Sequence, residues 1–380
     1  MTISVFSFPT EIHFGPGARL RAGEHLRARG LRRPLVITDR GVAALPVFAE
    51  LLASLDGLAA DTFSDLGGNP VVSQVTAGAA VFRAHQADCV FGIGGGAALD
   101  VAKAVALMAH HPGALFDYED GRPDARPIDG DIPYLVLAPT TSGTGSEVGR
   151  SAVISDESTH VKKIVFSPRL LARAVFADPE VTLDLPPKVT AATGMDALTH
   201  CIEAYLARDY HPICDGIALE GLRLAAPALP RCIESPRDLQ ARSDMMMASM
   251  MGAIAFQKGL GLTHSFAHAL SAVADLHHGL ANGLMIEHAL RFNLEAAPQK
   301  FRVMAQTIGL GEATGEAFLA WLGELKRKIG IPSGPAQAGV DARELDRLAE
   351  LAFADSCHLN NPRACTADDV RRLWSEAFAG

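Results

Sequence analysis

Residues Gly259–Gly279 read GLGLTHSFAHALSAVADLHHG and carry four of the fourteen histidines in the chain. His264 and His268 are four residues apart, so on an α-helix their side chains lie on one face, about one turn from each other. His277 and His278 follow as a pair near the end of the stretch. The pattern predicts a helix and a following turn that direct three imidazole groups toward one point.

A second stretch, Gly194–Tyr205 (GMDALTHCIEAY), presents Asp196 and His200 at the same helical spacing. Two such helices facing each other would surround a cavity with a carboxylate and two or three imidazoles, a donor set typical of a divalent transition-metal site. A single histidine on an apolar helix is usually an ordinary hydrogen-bonded residue. Here the donors are embedded in Ala, Leu and Gly, where burying them is costly unless they bind something. The spacing leaves open whether His264 or His268 is the ligand.

Length and composition limit the possible number of domains and the possible classes of binding partner. At 380 residues the chain is longer than one ordinary hydrophobic core supports, so we predict two domains. The net charge of −9 and the lack of a basic stripe predict no nucleic-acid partner. The first residues do not resemble a signal peptide, and no apolar window reaches membrane-spanning length, so we expect no membrane partner. The six cysteines lack CxxC spacing, which favours reduced thiols in a cytoplasmic protein.

The first half of the chain alternates short apolar runs with Ala- and Leu-rich stretches, as parallel strands with crossover helices do. From Pro187 onward the pattern changes to long helical runs. We therefore predict an α/β domain with a parallel sheet over residues 1–185 and an all-helical domain over residues 186–380. The predicted strands are Pro34–Thr38, Ala87–Ile93, Tyr134–Ala138 and Val175–Ala177, and the predicted helices of this half begin at Val42 and cover Ala97–Ala109.

Two polar, glycine-bearing loops follow predicted strands. The first, Gly92–Gly96 (GIGGG), stands between a strand and a helix, where backbone amides and the positive end of the helix can receive a diphosphate. The second, Thr140–Ser146 (TTSGTGS), adds hydroxyl groups at the end of another strand. Together they predict a cofactor crevice at the carboxyl edge of the sheet. The acidic residue at a strand end, Asp39, precedes the glycines, whereas the usual dinucleotide fingerprint has it after them.

These motifs resemble those of the iron-containing (type III) alcohol dehydrogenases, which share their fold with glycerol dehydrogenase and dehydroquinate synthase. The resemblance covers essentially the full length, and the GMDALTH and GLGxxHxxAH…HG segments are its most specific parts. It implies a dinucleotide-binding α/β domain, a helical metal domain and catalysis in the cleft between them. The residues that carry it are Phe14–Gly17, Gly94–Gly96, Thr140–Glu147, Asp178–Pro179, Gly194–Tyr205, Gly259–Gly279 and Asn361–Arg363.

Carried over position by position, the resemblance assigns the metal to Asp196, His200, His264 and His278. His268 is then placed just outside the metal ligands, near the nicotinamide and the substrate. We predict that it acts as a proton shuttle, the alternative being a helix histidine that is hydrogen-bonded to the backbone. His277 stands where many relatives have proline, and we expect it to support the ligands from outside or to be structural. Three imidazoles and a carboxylate suit Fe(II), although Zn(II) competes well for such a set, and only the resemblance favours iron.

The cofactor assignment combines the two loops with the resemblance. Asp39 resembles the residue that holds the adenosine ribose hydroxyls, and a carboxylate there would repel a 2′-phosphate, so we expect NAD in preference to NADP. The residues predicted to bind the cofactor are Asp39, Gly94, Gly95, Gly96, Asp100, Thr140, Thr141, Thr144 and Lys162.

The resemblance predicts a metal-dependent, NAD(H)-linked alcohol dehydrogenase or aldehyde reductase that acts on a small primary alcohol as a homodimer or larger homo-oligomer. Where many relatives have a phenylalanine that would line the pocket, this chain has Ala255, and Lys258 replaces a small residue. Lys258 and Arg150 could bind an anionic group on the substrate, such as the carboxylate of a semialdehyde acid. We favour the alternative that both residues form salt bridges at the domain surface. The alternatives are a lyase of the dehydroquinate synthase kind and a catalytically silent, oligomer-forming member.

Overall fold

The computed structural model describes residues 10–159 and 161–379, which divide into two compact units. The α/β unit runs to Thr141 and resumes from Ser146 to Thr182. The helical unit contains the short segment Ser142–Gly145 and everything described from Leu183 onward. The loop predicted from TTSGTGS is thus shared between the two units.

The α/β unit is built on a parallel sheet, as the sequence predicts, and its six strands have the order β1-β8-β5-β4-β2-β3. An antiparallel hairpin of β6 and β7 stands apart from this sheet. The strands are β1 (Glu11–Phe14), β2 (Pro34–Ile37), β3 (Asp61–Phe63), β4 (Cys89–Gly94), β5 (Tyr134–Pro139), β6 (Ser151–Ser155), β7 (Lys162–Phe166) and β8 (Ala174–Ala177).

Continuous apolar runs form the centre of the sheet because both of its faces are covered. Every residue of β2, β4 and β8 is buried, and Val36, Phe91, Val136 and Phe176 belong to one core cluster. The carboxyl ends of β4 and β5 lie side by side, since Gly94 pairs with Pro139. The helices of this unit are α1 (Ala22–Ala28), α2 (Arg40–Ala43), α3 (Pro46–Ser54), α4 (Val72–His85) and α5 (Gly96–His110).

The helical unit is organised around α6, in which every residue from Thr190 to Leu206 is buried. A helix buried on all sides must lie inside its domain, so polar side chains on α6 face the interior of the unit. The helices of this unit are α6 (Pro187–Leu206), α7 (Pro212–Glu234), α8 (Leu239–Ala255), α9 (Leu262–Ala274), α10 (His278–Asn293), α11 (Pro298–Thr307), α12 (Gly315–Ile329), α13 (Leu345–Ala354) and α14 (Ala367–Ala379). Among the described residues, no helix combines the length and apolarity that crossing a membrane requires.

Candidate metal centre and cofactor site

Four side chains from three helices converge inside the helical unit. Asp196 and His200 come from the middle of α6, His264 from the first turn of α9, and His278 is the first residue of α10. Each offers one ligand atom, and these atoms all lie within 4.8 Å of one another. Asp196, His200 and His264 are buried, while the side chain of His278 is 22% exposed and gives the cluster its open side.

The carboxylate of Asp196 is the centre of this cluster. Its Oδ1 atom lies 3.7 Å from Nε2 of His200, 3.9 Å from Nε2 of His264 and 3.4 Å from Nε2 of His278. Metal–nitrogen and metal–oxygen bonds of about 2.0–2.2 Å bring neighbouring ligand atoms roughly 3–3.5 Å apart. The observed separations therefore suit four ligands of one ion after small adjustments.

Glu203 fixes the orientation of His264. Its Oε2 atom accepts a hydrogen bond from Nδ1 of His264 at 2.7 Å, and the backbone amides of Gly261 and Thr263 donate to its carboxylate at 3.0 and 2.7 Å. Burial acts to raise the pKa of Glu203, but the hydrogen bonds from His264 and these amides lower it overall. With its proton held on Nδ1, His264 presents the lone pair of Nε2 to the cluster.

The electrostatic environment of His200 keeps its imidazole neutral. Burial lowers the pKa of His200 to about 4. The negative charge of Asp196 acts to raise this pKa, but its effect is smaller than that of burial. Its ring stacks on that of His264, with centroids 4.7 Å apart. A neutral imidazole is the form that coordinates a metal.

A close helix contact brings His278 to the other three side chains of the cluster. At Gly279, a Cβ atom would stand only 2.1 Å from the backbone oxygen of Ala192 on α6, so only glycine lets α10 approach this closely. Asn282, one turn along α10, donates from Nδ2 to Oδ1 of Asp196 at 2.8 Å. Gly279 thus permits the close spacing of α6 and α10, and Asn282 orients the carboxylate of Asp196.

His268 lies next to the cluster but outside it. Its ring stacks on that of His278 with centroids 5.3 Å apart, and its Nδ1 is 2.8 Å from Oδ2 of Asp355, at the end of α13. Ser265 and the amide of Cys357 donate to the other oxygen of Asp355. Asp355 therefore holds the Nδ1 proton of His268 and leaves Nε2 of that ring, whose side chain is 29% exposed, able to exchange a proton.

The donor set fits a divalent cation. Three imidazole nitrogens and one carboxylate oxygen suit first-row transition metals such as iron and zinc. Oδ1 of Asn282, a further polar atom beside the cluster, is buried without a hydrogen-bond partner among the described residues. Burying so many polar groups around one point is costly unless they coordinate an ion.

A separate cavity of about 320 Å³ opens at the carboxyl edge of the sheet in the α/β unit, and Asp39, Gly95 and Ala97 line it. Asp39 follows β2, and its Oδ1 accepts a hydrogen bond from the amide of Val42 at 2.9 Å, which caps α2. Gly94 has a φ of 153°, and a Cβ atom there would stand 3.3 Å from Oδ2 of Asp39. The glycine loop and the predicted ribose-binding carboxylate thus line one cavity.

Of the remaining residues that we predict to bind the cofactor, some border the glycine loop and others belong to other parts of the structure. The amide of Thr140 donates to the carbonyl of Gly94 at 2.9 Å, and the side chain of Thr141 lies against Gly95, so both threonines border the glycine loop. Gly96 begins α5. Thr144 belongs to the helical unit, and Lys162 is the first residue of β7.

Asp100 is engaged within the α/β unit. Its Oδ1 accepts from the hydroxyl of Ser146 at 2.6 Å, and its Oδ2 accepts from the amide of Val153 at 3.1 Å. Lys103 forms an ion pair with the same carboxylate at 2.9 Å. These bonds anchor the end of the second loop, so the structure provides Asp100 with a clear structural role.

The two cations considered for an anionic substrate tail have other partners. The ammonium of Lys258 is buried and pairs with Asp215, and it donates to the carbonyl of Tyr205 at 3.0 Å. The guanidinium of Arg150 lies over the ring of Phe166, 5.5 Å from its centroid. Ala255 is fully buried, and the aromatic ring near the metal ligands belongs to the next residue, Phe256, 5.1 Å from the ring of His200.

Sequence reasoning did not identify the residues that orient the site: Glu203, Asn282 and Asp355. A signal existed for Glu203, because it lies seven residues after Asp196 and three after His200, on the same face of α6. Asn282 similarly follows His278 by four residues on α10. Asp355 gave no local signal, since it lies 87 residues from His268 along the chain.

Comparison with known proteins identifies sequences that are similar to this chain over both units. A sequence profile described as iron-containing alcohol dehydrogenase matches residues 9–179, and one described as the C-terminal part of the Fe-containing alcohol dehydrogenase family matches residues 190–378. The chain is 36% identical to a 4-hydroxybutyrate dehydrogenase of Cupriavidus necator, over 97% of this chain and 98% of that one.

Two solved structures extend the comparison. The crystal structure of a 1,3-propanediol oxidoreductase superposes with a TM-score of 0.93 at 34% identity, covering 99% of this chain and 100% of the other. The structure of a sulfoacetaldehyde reductase from Bifidobacterium kashiwanohense in complex with NAD+ superposes with a TM-score of 0.92 at 28% identity, covering 99% of each chain. These matches cover both the α/β unit and the helical unit.

Proposed function

Because the chain belongs to the iron-containing alcohol dehydrogenase family, as its motifs predict, we propose that it oxidises a small primary alcohol or reduces the corresponding aldehyde with NAD(H). The observation that carries the proposal is the convergence of Asp196 and three imidazoles within 4.8 Å. Iron(II) is the proposed metal and Asp196, His200, His264 and His278 its ligands, with zinc(II) as the competing ion.

Asp196, His200, His264 and His278 would hold a divalent cation, which would supply Lewis acidity for negative charge on the oxygen of the alcohol or aldehyde. The protein residues hold and move the protons. Glu203 keeps the proton of His264 on Nδ1, and Asp355 does the same for His268. Nε2 of His268, on a side chain that is 29% exposed, is then the ring nitrogen that would exchange the hydroxyl proton of the substrate.

The choice of NAD over NADP rests on Asp39. Its carboxylate lines the α/β cavity beside Gly95 and would accept hydrogen bonds from the ribose hydroxyls. A 2′-phosphate at the same point would face its negative charge, which disfavours NADP. We also propose that Gly94, Gly96, Asp100, Thr140, Thr141, Thr144 and Lys162 contribute to the cofactor site, Asp100 through its bonds to Ser146 and Val153.

The substrate is proposed to be a short alcohol or aldehyde. Known relatives act on 4-hydroxybutyrate and 1,3-propanediol, of which one is anionic and one neutral. Lys258 is held by Asp215, so it does not supply the cation that an anionic tail would need. This pairing favours an uncharged substrate, and comparing 1,3-propanediol with 4-hydroxybutyrate at equal concentrations tests that preference.

The two alternatives make different demands on the site. A lyase of the dehydroquinate synthase kind would need several cations for a phosphate-bearing substrate, whereas the helical unit around His264 offers Lys258, which is already paired. A catalytically silent member would have no reason to keep four convergent ligands and their orienting partners. Both alternatives predict no steady oxidation of NADH by simple aldehydes.

We also propose a homo-oligomer, at least a dimer, in the cytoplasm. Tyr210 and Leu359 are 79% and 65% exposed, and their segments meet where the amide of Arg208 donates to the carbonyl of Asn360. Exposed large apolar side chains from adjoining segments are typical of subunit contacts. Among the described residues none of the six cysteines forms a disulfide, which suits a reducing compartment. Light scattering on the purified protein measures the oligomer size.

The decisive experiment is anaerobic purification with metal quantification, followed by NADH oxidation over short aldehydes and semialdehyde acids. The proposal expects about one iron or zinc per chain and turnover that a chelator removes and metal restores. The variant His264→Ala should lose both metal and turnover. Full retention of both in this variant would end the metal assignment.

A further inference from the structure

The interior of the helical unit contains a small cavity of about 10 Å³, away from the four metal ligands. This volume admits one particle about the size of a water molecule. The cavity lies where α6, α7 and α8 meet the segment Ser142–Gly145. Its wall includes the polar side chains of Ser142, Thr190, Thr193 and Arg242.

Two donors in this wall have no partner among the described residues. Arg242 is 2% exposed; its Nε donates to the carbonyl of Pro236 and its Nη1 to the hydroxyl of Thr190, both at 2.9 Å. Its Nη2 has no hydrogen-bond partner, and neither has the hydroxyl of Ser142, which is 7% exposed. Buried donors are rarely left unpaired, so both indicate a further ligand in the cavity.

The charge of Arg242 also has no carboxylate counterion in the described part of the chain. Every other buried lysine or arginine in the described part of the chain pairs with a carboxylate. These pairs are Arg19 with Asp178, Lys103 with Asp100, Lys258 with Asp215 and Lys326 with Glu287. Arg242 forms no such pair, and burial lowers its pKa, whereas the three carboxylates around Arg19 raise the pKa of that residue. The nearby carboxylate of Asp184 pairs instead with Arg237 at the surface.

We propose that this cavity binds a monatomic halide ion, chloride under ordinary conditions, between Nη2 of Arg242 and the hydroxyl of Ser142. A water molecule would satisfy the two donors but would leave a buried guanidinium charge uncompensated, which is costly in a protein interior. Sulfate, phosphate and carboxylates are too large for a cavity that admits one water-sized particle. Halide binding itself does not depend on the proposed alcohol chemistry; only the expected effect on the KM for NADH rests on the proposed function.

The halide would fix the segment Ser142–Gly145 to the helices. A Cβ atom at Gly143 would stand 2.9 Å from Cβ of Thr193, and one at Gly145 would stand 2.2 Å from Cβ of Ala253, so the segment already packs tightly on α6 and α8. Ser142 directly follows Thr140 and Thr141 in sequence. Loss of the halide should therefore loosen these threonines and raise the KM for NADH.

Thermal unfolding of the wild-type protein tests the proposal. The samples contain increasing concentrations of potassium chloride or potassium bromide. Potassium gluconate makes up the remaining salt, so that the ionic strength stays constant. Chloride and bromide should raise the melting temperature by about 2 °C and in a saturable manner, because they bind only the folded state. General salt effects do not saturate. Arg242→Met should abolish the halide response, and Arg223→Met, at a 54% exposed side chain that pairs with Glu220, should retain it.

A second measurement does not depend on the stability of a variant. Crystals of the wild-type protein grown in bromide should give an anomalous peak about 3–3.6 Å from Nη2 of Arg242 and the hydroxyl of Ser142, at hydrogen-bond distance. The KM for NADH should be about 3-fold lower in chloride than in gluconate. Density of a water molecule without an anomalous signal, together with equal melting temperatures in the two salts, would overturn the proposal.

Discussion

Nδ1 of His264 lies 2.7 Å from Oε2 of Glu203, a buried carboxylate about one turn beyond His200 on α6. The same carboxylate accepts hydrogen bonds from the amides of Gly261 and Thr263, at the start of α9. Glu203 therefore joins the helix that carries two proposed metal ligands to the helix that carries the third. It determines both the position of α9 and the ring nitrogen that His264 presents.

Replacing Glu203 with glutamine should weaken metal binding by about 10- to 100-fold, the usual effect of removing a hydrogen-bond partner of a metal-bound histidine. The change keeps the size of the side chain but removes the charge that retains the proton on Nδ1. Metal affinity is measured by competition with a chelator of known affinity. Glu220→Gln, at an exposed ion pair of the same unit, is the matched control and should bind metal normally. Wild-type affinity in Glu203→Gln would contradict the proposed role.

Asp355→Asn should lower kcat by about 10- to 100-fold while metal content and the KM for NADH stay near their wild-type values. An amide can donate to Nδ1 of His268, so the proton would move to Nε2 and the ring would present the wrong tautomer. Steady-state kinetics and metal analysis on the same samples separate this effect from metal loss. Asp369→Asn, on α14, serves as the control.

A simple loss of packing at Asp355 would have a different signature. It would lower the melting temperature and change KM as well as kcat, because α9 and the segment after α13 would shift together. Unchanged kcat in Asp355→Asn would remove His268 from the proposed proton path.

Helical spacing in the sequence indicated the four residues that the structure brings together and that we propose as metal ligands. Asp196 with His200, and His264 with His268, lie four residues apart, and helix periodicity converts that spacing into a shared direction. It could not decide between His264 and His268. That choice depends on where α10 places His278, and the position of α10 depends on the contact of Gly279 with the backbone of Ala192. Such long-range contacts leave no periodic signal in the sequence.

The buried strands were predicted because they are continuous apolar runs, as β2, β4 and β5 show. The predicted strands do not include β1 and β3, which are short edge strands of four and three residues with mostly exposed or half-buried side chains. They do not include the hairpin of β6 and β7 either. Lys162 and Lys163 begin β7, and a strand exposed on one face does not form an apolar run.

Asp39→Asn tests the cofactor preference without disturbing the local fold. Asparagine caps a helix about as well as aspartate, so the bond from Oδ1 to the amide of Val42 should persist. Removing the charge should lower the ratio of kcat/KM with NADH to kcat/KM with NADPH by about 10-fold. This change corresponds to about 1.4 kcal/mol of selectivity between the two cofactors. Asp39→Gly should shift it in the same direction.

The control for this test is Asp124→Asn, an exposed carboxylate of the same unit that pairs with Arg122. Its cofactor ratio should remain at the wild-type value, because neither Asp124 nor Arg122 lines the cavity that contains Asp39. An unchanged ratio in both Asp39 variants would contradict the assignment of the ribose hydroxyls to Asp39.

Glu147 predicts a specific dependence of stability on pH. It is fully buried, and burial raises its pKa to about 7, against smaller opposing effects of its backbone hydrogen bond and of the charge on Lys103. Between the ordinary pKa of 4.5 and the raised value, the folded state binds a proton that the unfolded state releases. The contribution of Glu147 to stability therefore falls as pH rises from 4.5 to 7, and above pH 7 the folded protein retains a buried negative charge.

Glu147→Gln should accordingly raise stability relative to wild type by on the order of 2 kcal/mol at pH 8, and by much less at pH 5.5. Glutamine stays neutral at both pH values, so only the wild type loses stability between them. Denaturant unfolding of the two proteins at each pH gives the difference directly. Glu24→Gln, at a side chain that is 73% exposed, should show the same small change at both pH values. A stability difference between wild type and Glu147→Gln that does not vary with pH would mean that Glu147 is charged throughout, and that Lys103 compensates its burial.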